Sequence, residues 1–115
     1  MTGWSDDERV RLKRLQAGET IVVSMRRGTH PHLISWAVNR GLFVRIDRQS
    51  KWGNPFVLGR DGDRDTVIRR YDEEHLPHQP RLLAALAALR GKALGCWCAP
   101  EWCHGDVLDE AVRAL

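Results

Sequence analysis

Three cysteines and a histidine stand close together near the C-terminal end of the chain. Cys96, Cys98 and Cys103 fall within eight residues, and His104 follows directly. Thiolates and imidazoles bind zinc, and they also act as nucleophiles and bases in covalent catalysis. We therefore predict that residues 95–106 carry the chemistry of this protein.

One interpretation of this segment is a reactive thiol at the start of a helix. The pattern predicts a strand over Lys92–Trp97, a tight loop that contains Pro100, and a helix over Cys103–Leu115. Unpaired amides at a helix N-terminus lower the pKa of a thiol, which makes Cys103 the predicted nucleophile.

His104 and Asp106 complete this hypothesis as catalytic residues near the reacting atom. Consecutive side chains on a helix diverge by about 100°, so a direct hydrogen bond between Cys103 and His104 is not expected. Asp106 or Glu101 is the expected partner of the His104 ring.

A second interpretation is a structural zinc site in a recognition module without catalysis. Cys96, Cys98, Cys103 and His104 form a complete Cys₃His set, although structural sites usually place two residues between paired cysteines. A third interpretation assigns no chemistry, because Cys96 and Cys98 can pack as small apolar groups while Cys103 caps the helix. All three interpretations remain open from the sequence. Zinc is the one cofactor that they suggest.

Composition limits the class of protein. A chain of 115 residues that is 43% hydrophobic can build one core but not a second. The first eighteen residues are polar and charged, so we expect no secretory signal, no membrane span and a cytoplasmic location. Clustered cysteines in that reducing compartment argue against disulfides. The net charge of +3 permits contacts with phosphate but does not require nucleic acid.

Hydrophobic patterning predicts an α/β order in the first half of the chain. Ser5 and Glu8 form a capping-box pattern for a helix from about Asp6 to Gln16. The predicted elements that follow are a strand over Thr20–Met25, a helix from Pro31 that ends before Gly41, and a strand over Leu42–Ile46.

The second half of the chain continues this order. The pattern there predicts a brief extended segment at Phe56–Leu58, a helix from Asp63 or Asp65 through Glu74, and a helix from Pro80. The strand and the helix of the cysteine segment follow. These elements predict a small three-layer, Rossmann-like α/β domain of three to four mostly parallel strands flanked by helices. We assign it to residues 20–115, with residues 1–19 as an N-terminal helix.

Ligands of open parallel sheets bind beyond the carboxyl ends of the strands. The residues expected at that edge, as contacts for a nucleotide-like small molecule or a nucleic acid, are Arg26, Arg27, Arg48, Trp52, Gly53, Asn54 and Trp102. The arginines would hold phosphate, and the two loop tryptophans, Trp52 and Trp102, would stack on a base. Trp97 is instead expected to pack under a helix.

Three motifs resemble those of the domain of unknown function 4326 family. They are Ser50–Phe56 (SKWGNPF), Gly59–Arg64 (GRDGDR) and Leu89–Asp106, within a similarity from about Val22 to Leu115. Such domains occur in bacteria and phages, alone or fused to phage-type domains, and the resemblance implies no reaction. The chain is also loosely similar to an uncharacterised α/β family in which Cys-His-Arg opens a helix, but Gly105 stands here in place of that arginine.

Overall fold

A computed structural model describes residues 3–99 and 101–115, in which three parallel strands lie between two layers of helices. Pro100, expected in the loop before the last helix, and residues 1 and 2 lie outside the described residues. The elements are α1 (Asp6–Gln16), β1 (Ile21–Ser24), α2 (Pro31–Asn39), β2 (Phe43–Arg45), α3 (Arg64–Arg70), α4 (Pro80–Ala85), β3 (Ala93–Cys96) and α5 (His104–Arg113). A π-helical turn (Tyr71–His75) follows α3, and 3₁₀ turns follow at Leu76–His78 and Leu86–Leu89.

The sheet has the order β1-β3-β2, with β3 in the middle. Both neighbours pair with β3 in parallel, so that Ile21 and Phe43 both stand opposite Ala93. All four residues of β3 are buried, whereas β2 is partly exposed and forms an edge. The predicted α/β class is therefore confirmed. Phe56–Leu58, the possible fourth strand, does not pair with the sheet in the part of the chain that the structure describes.

Successive side chains along the strands pack alternately into two separate cores. Ile21 and Val23 pack with Leu33 and Ala37 of α2 and with α1. Val22 and Leu94 point to the other face, where they pack with α3, α4 and α5. Burial on both faces explains the continuous apolar runs of β1 and β3. No helix within residues 3–99 and 101–115 is long and apolar enough to cross a membrane.

The N-terminal helix is part of this layered structure. Leu12 and Leu15 of α1 are buried in the core shared with α2. The predicted capping box is present: Ser5 Oγ accepts from the Glu8 amide at 3.1 Å, and Glu8 Oε1 accepts from the Ser5 amide at 3.0 Å. The second carboxylate oxygen of Glu8 accepts from the Leu33 amide at 2.8 Å, in the first turn of α2. One buried carboxylate thus caps two helices.

A second polar contact joins α1 to the end of β1. Buried His30 accepts a hydrogen bond at Nδ1 from the Ser24 amide at 2.8 Å. Its Nε2 must then carry the proton, which it donates to Asp7 Oδ2 at 2.6 Å. The residues predicted as a separate segment therefore pack directly against the sheet and α2.

We expect Glu8→Gln to lower the free energy of unfolding by about 1 to 3 kcal/mol, because an amide cannot accept from both the Ser5 and Leu33 amides as the carboxylate does. Burial acts to raise the pKa of Glu8, but these hydrogen bonds outweigh it and leave the pKa below its usual value. The contribution of Glu8 is therefore present at neutral pH and is lost as the pH falls through its folded pKa. Urea unfolding at a series of pH values measures both effects.

Glu73→Gln is the matched control, since Glu73 is an exposed carboxylate. The control should leave stability near that of the parent protein. The difference between Glu8→Gln and the parent should shrink as the pH falls below about 4, where the carboxyl group takes up its proton in the unfolded chain before it does so in the folded protein. An equal loss of stability at all pH values would contradict this role for the Glu8 charge.

Candidate functional site

A cavity of about 400 Å³ opens at the carboxyl edge of the sheet. It lies beyond the ends of β2 and β3, between the loop after β2, helix α3 and the start of α5. Its lining combines three thiols, an imidazole, two guanidinium groups, an indole, a carboxylate and two amides with apolar side chains: Asp47, Arg48, Gln49, Asn54, Phe56, Leu58, Arg64, Val67, Ile68, Cys96, Trp97, Cys98, Cys103 and His104. The three cysteines and His104 do converge on the predicted edge.

Cys103 is fixed by hydrogen bonds on both its backbone and its side chain. It is the N-cap of α5, where its Sγ accepts from the Gly105 amide at 3.3 Å and its amide donates to Asp106 Oδ2 at 2.8 Å. The Cys96 and Cys103 sulfurs lie 3.4 Å apart. A side chain on Gly105 would meet Ile46 and Val22, so the arginine found here in the loosely similar family does not fit this packing.

Cys98 is the thiol that the cavity exposes. It is half-buried, whereas Cys96 and Cys103 are 1% and 2% exposed. A hydrogen bond from the Cys103 thiol, opposed by burial and aided by the Arg64 guanidinium, lowers the pKa of Cys98 to about 6. A hydrogen bond from Cys103 also lowers the pKa of Cys96, to about 7.

The pKa of Cys103 is shifted in the opposite direction. Its hydrogen bonds to Cys96 and Cys98, together with burial, raise its pKa well above the ordinary thiol value, and the Gly105 amide offsets only part of this. The low thiol pKa predicted from the helix N-terminus is therefore wrong for Cys103. The neighbouring sulfurs favour the protonated form of Cys103, and that interaction exceeds the effect of the helix amides.

Arg64 is a site residue that sequence reasoning missed. It is the first residue of α3 and forms an ion pair of 3.0 Å with Glu101. The Cys98 thiolate beside it raises the pKa of the guanidinium further. The helix predicted from Asp63 or Asp65 indicated a helix start here, and Asp63 is its N-cap. Nothing in the sequence indicated that this helix start faces the cysteines.

His104 is held by a backbone carbonyl and not by an acidic side chain. Its Nε2 donates to Ile46 O at 2.7 Å, and its ring packs edge-on against Tyr71, with ring centres 5.1 Å apart. Burial lowers the pKa of His104, although the Ile46 carbonyl opposes this effect. The expected pairing with Asp106 or Glu101 is wrong. The neutral ring keeps Nδ1 as the nitrogen that can accept a proton.

Asp106 acts within the helix cap. Its carboxylate accepts from the Cys103 amide, and Asp106 is not among the residues that line the cavity. The geometry thus explains Asp106 as the acidic half of a capping box, with Cys103 in the position that serine or threonine usually holds.

Trp97 forms a wall of the cavity. Its side chain is 49% exposed, and its Nε1 donates to Asp47 Oδ2 at 3.0 Å. Arg45 binds the same carboxylate at 2.6 Å. The Arg45 hydrogen bond, opposed by burial and aided by the Trp97 indole, lowers the pKa of Asp47. The prediction that Trp97 packs under a helix is wrong, because β3 ends at Cys96 and the next residue lies beyond the sheet.

The loop after β2 shapes the opposite wall. Trp52 is only 3% exposed and lies in the core, so the stacking surface predicted for it is covered. Asn54 donates from Nδ2 to Val67 O at 3.0 Å and accepts at Oδ1 from the Phe56 amide at 3.0 Å, which holds the loop against α3. A side chain on Gly53 would clash with the backbone of residues 47 and 48, so the loop needs a glycine there.

The other predicted contacts lie around the cavity. Arg48 lines it and donates to Phe56 O at 3.3 Å. Arg26 and Arg27 are exposed beyond β1 and do not line it, although the charge of Arg26 helps to lower the pKa of Cys98. Trp102 is 47% exposed and also lies outside the lining.

The alternative zinc site remains a prediction. Across residues 3–99 and 101–115, no group of three or more His, Cys, Asp or Glu side chains has the arrangement of a metal site. The Cys96 and Cys103 sulfurs are close together, while His104, the expected fourth ligand, has its Nε2 on the Ile46 carbonyl.

Comparisons with known proteins identify one family and one uncharacterised phage relative. The family described as a domain of unknown function (DUF4326) matches residues 35–114. An uncharacterised 12.4 kDa protein in the nrdA-td intergenic region of Enterobacteria phage T4 is 36% identical over 76 residues, which cover 63% of this chain and 68% of that protein. No solved structure matches the chain. The matched residues make up most of the chain and include the cavity lining and the cysteine segment. The chain therefore belongs to the domain of unknown function 4326 family.

Proposed function

We propose that the cavity binds a nucleotide-like ligand, a planar base with an anionic group, and that Cys98 is the thiol that faces it. The observation that carries this proposal is the exposed Trp97 indole, which Asp47 holds by its Nε1 at the mouth of a cavity that also contains two guanidinium groups. An anchored, exposed indole offers a flat surface for stacking at little entropic cost.

The charges of the cavity favour an anion. Arg48 and Arg64 both line it, and the Asp47 carboxylate is paired with Arg45. Arg64 is paired with Glu101, but a guanidinium has five N–H donors and one ion pair does not use them all. Guanidinium groups bind phosphate through paired N–H donors. Glu101 forms an ion pair with the Arg64 guanidinium at 3.0 Å, and this ion pair orients the guanidinium beside Cys98.

The size and the apolar wall of the cavity also suit this class of ligand. About 400 Å³ is within the range of small-molecule sites. Phe56, Leu58, Val67 and Ile68 supply an apolar wall, and the neutral His104 supplies an imidazole able to accept a hydrogen bond or a proton. A planar base and one phosphate each have a chemically matching surface. A free nucleotide and the end of a nucleic acid share this chemistry.

The proposal includes a reactive role for Cys98. A thiolate next to a bound ligand is a nucleophile, and Arg64 and Cys103 stabilise the negative charge of this sulfur. Cys103 and Asp106, first considered as catalytic residues, take the roles of thiol hydrogen-bond donor and helix cap. The reducing cytoplasm is the compartment in which three free thiols are stable, and we include that location in the proposal.

Ligand binding can be tested by calorimetry with a panel of nucleoside monophosphates and the matching nucleosides. We expect Trp97→Ala to weaken binding of both classes about tenfold or more, because it removes a stacking surface. Trp97→Phe should keep most of the affinity. Arg64→Gln should weaken only the phosphate-bearing ligands.

Trp102→Ala is the matched control, since Trp102 is exposed to a similar extent but lies outside the cavity lining. It should bind as the parent protein does. Equal losses in Trp97→Ala and Trp102→Ala, or no binding of any ligand of the panel at millimolar concentration, would refute the proposal.

Reaction with iodoacetamide under native conditions tests the assignment of the thiol. We expect one fast-reacting cysteine, Cys98. Its reaction rate should increase with pH along a titration curve whose midpoint lies near the pKa of about 6, and the reaction should be slow at lower pH. Arg64→Gln should move this midpoint upward, because it removes a positive charge that stabilises the thiolate. Peptide mapping identifies the modified residue.

Arg69→Gln is the control for this experiment, because Arg69 lies on the same helix but on its exposed side. Its midpoint should equal that of the parent protein. Modification of Cys103 before Cys98, or an ordinary thiol midpoint near pH 8.5, would show that the reactive residue is misassigned.

A further inference from the structure

A tight turn after β1 holds two arginines at the same edge of the sheet as the cavity. The Thr29 amide donates to Arg26 O at 3.1 Å, and Gly28 has a φ of +83°, the left-handed conformation that a type II turn requires at its third residue. The Arg26 amide donates to Ser24 Oγ at 3.1 Å, which fixes the start of the turn. Backbone hydrogen bonds thus form the turn, and the exposed side chains of Arg26 and Arg27 are not needed to hold it.

This turn leaves the sheet beside Trp97. The Met25 amide, one residue beyond β1, donates to Cys96 O at 2.6 Å, at the end of β3. Arg26 and Trp97 are the next residues of these two parallel segments. On the other side of β3, the loop after β2 contributes Arg48 to the cavity. The exposed indole therefore lies between positive groups that come from both neighbouring strands.

Three arginines at this edge are not neutralised by carboxylates. In the part of the chain that the structure describes, Arg26, Arg27 and Arg48 form no ion pair. A single phosphate held by the arginines of the cavity would not use the turn, because Arg26 and Arg27 do not line the cavity. A ligand that contacts both regions must carry further anionic groups outside the cavity.

We infer that the ligand is a single-stranded nucleic acid, with one nucleotide in the cavity and the phosphate of a neighbouring nucleotide on Arg26 and Arg27. This inference rests on the proposed function, because it uses the same cavity and the same Trp97 indole. A strand carries a phosphate at every nucleotide, so its charge continues beyond the cavity. A base can enter the cavity and stack on the indole only when it is unpaired, which excludes an intact duplex.

The test compares three kinds of ligand over a range of salt concentrations. They are a mixed-sequence single-stranded oligonucleotide of about ten nucleotides, the duplex that it forms with its complement, and free nucleoside monophosphates and triphosphates. At low salt we expect the single strand to bind about tenfold more tightly than the duplex or any monophosphate, because only the strand supplies both an unpaired base and neighbouring phosphates. Fluorescence anisotropy of the labelled oligonucleotide and calorimetry with the nucleotides measure these affinities.

The double variant Arg26→Gln, Arg27→Gln tests the role of the turn. It should weaken binding of the oligonucleotide about tenfold at low salt and leave the affinity for monophosphates unchanged. The slope of log Kd against log salt concentration should decrease by about 1.4, since each phosphate contact of a single strand contributes about 0.7. Arg26→Lys with Arg27→Lys keeps both charges and should retain most of this slope.

The double variant Arg81→Gln, Arg90→Gln is the matched control. It also removes two exposed arginines that form no ion pair among the described residues, but Arg81 lies on α4 and Arg90 precedes β3, at the opposite edge of the sheet. This control should keep the affinity and the salt slope of the parent protein. Thermal unfolding of each variant shows that it is folded before its binding is interpreted.

Three results would overturn the inference. They are a duplex that binds as tightly as the single strand, equal losses of oligonucleotide affinity in the turn variant and its control, and a triphosphate that binds as tightly as the single strand and loses affinity in the turn variant. The third result would assign the turn to the further phosphates of a free nucleotide.

The same measurements separate this inference from the proposed function. Binding of monophosphates without any gain for the oligonucleotide would overturn the inference and leave the proposed function intact. No binding of the oligonucleotide or of any nucleotide would overturn both.

Discussion

The geometry of the site depends on Cys103, which belongs at once to the backbone of α5 and to the thiol cluster. Its amide is bound by Asp106, and its sulfur accepts from the Gly105 amide and touches Cys96. A side-chain acceptor at the N-cap satisfies one of the unpaired amides of a helix, and here a thiol takes that place. The start of the helix and the positions of the sulfurs are therefore set by the same residue. The hydrogen bond from Cys103 lowers the pKa of Cys98, the more exposed thiol.

Around this cluster the site is assembled from separate segments that share one edge of the sheet. The central position of β3 brings Trp97 and Cys98 between the loop after β2 and the first turn of α3. Tyr71 links these parts, since its hydroxyl donates to Trp52 O at 2.8 Å while its ring supports His104. An exposed indole, two guanidinium groups and the Cys98 thiol meet in one cavity because parallel strands end at the same edge.

Local patterns were sufficient for most of the fold. The Ser5 and Glu8 box, the apolar runs of β1 and β3, and Pro31 at the start of α2 each depend on neighbours within a few residues. Their helices and strands were accordingly predicted to within one or two residues. The errors arose where a distant segment decides the outcome. Trp52 is buried in the core that contains Tyr71. Trp97 is half exposed because β3 ends at Cys96, one residue earlier.

For the site itself, the sequence determined the residue types and the spacing of the cysteines. It also determined that the cysteines and His104 lie at one edge of the sheet, because the order of the elements and the parallel topology place the strand ends there. Only the tertiary structure decided which thiol carries the charge. The pKa of a thiol depends on hydrogen bonds and charges within a few ångströms, and those of Cys98 come from Cys103 and from Arg64, thirty-four residues earlier in the chain. It likewise decided that His104 binds the carbonyl of Ile46 and that Glu8 caps α2 as well as α1. Spacing along the chain carries no information about such contacts, since they exist only once the layers have packed.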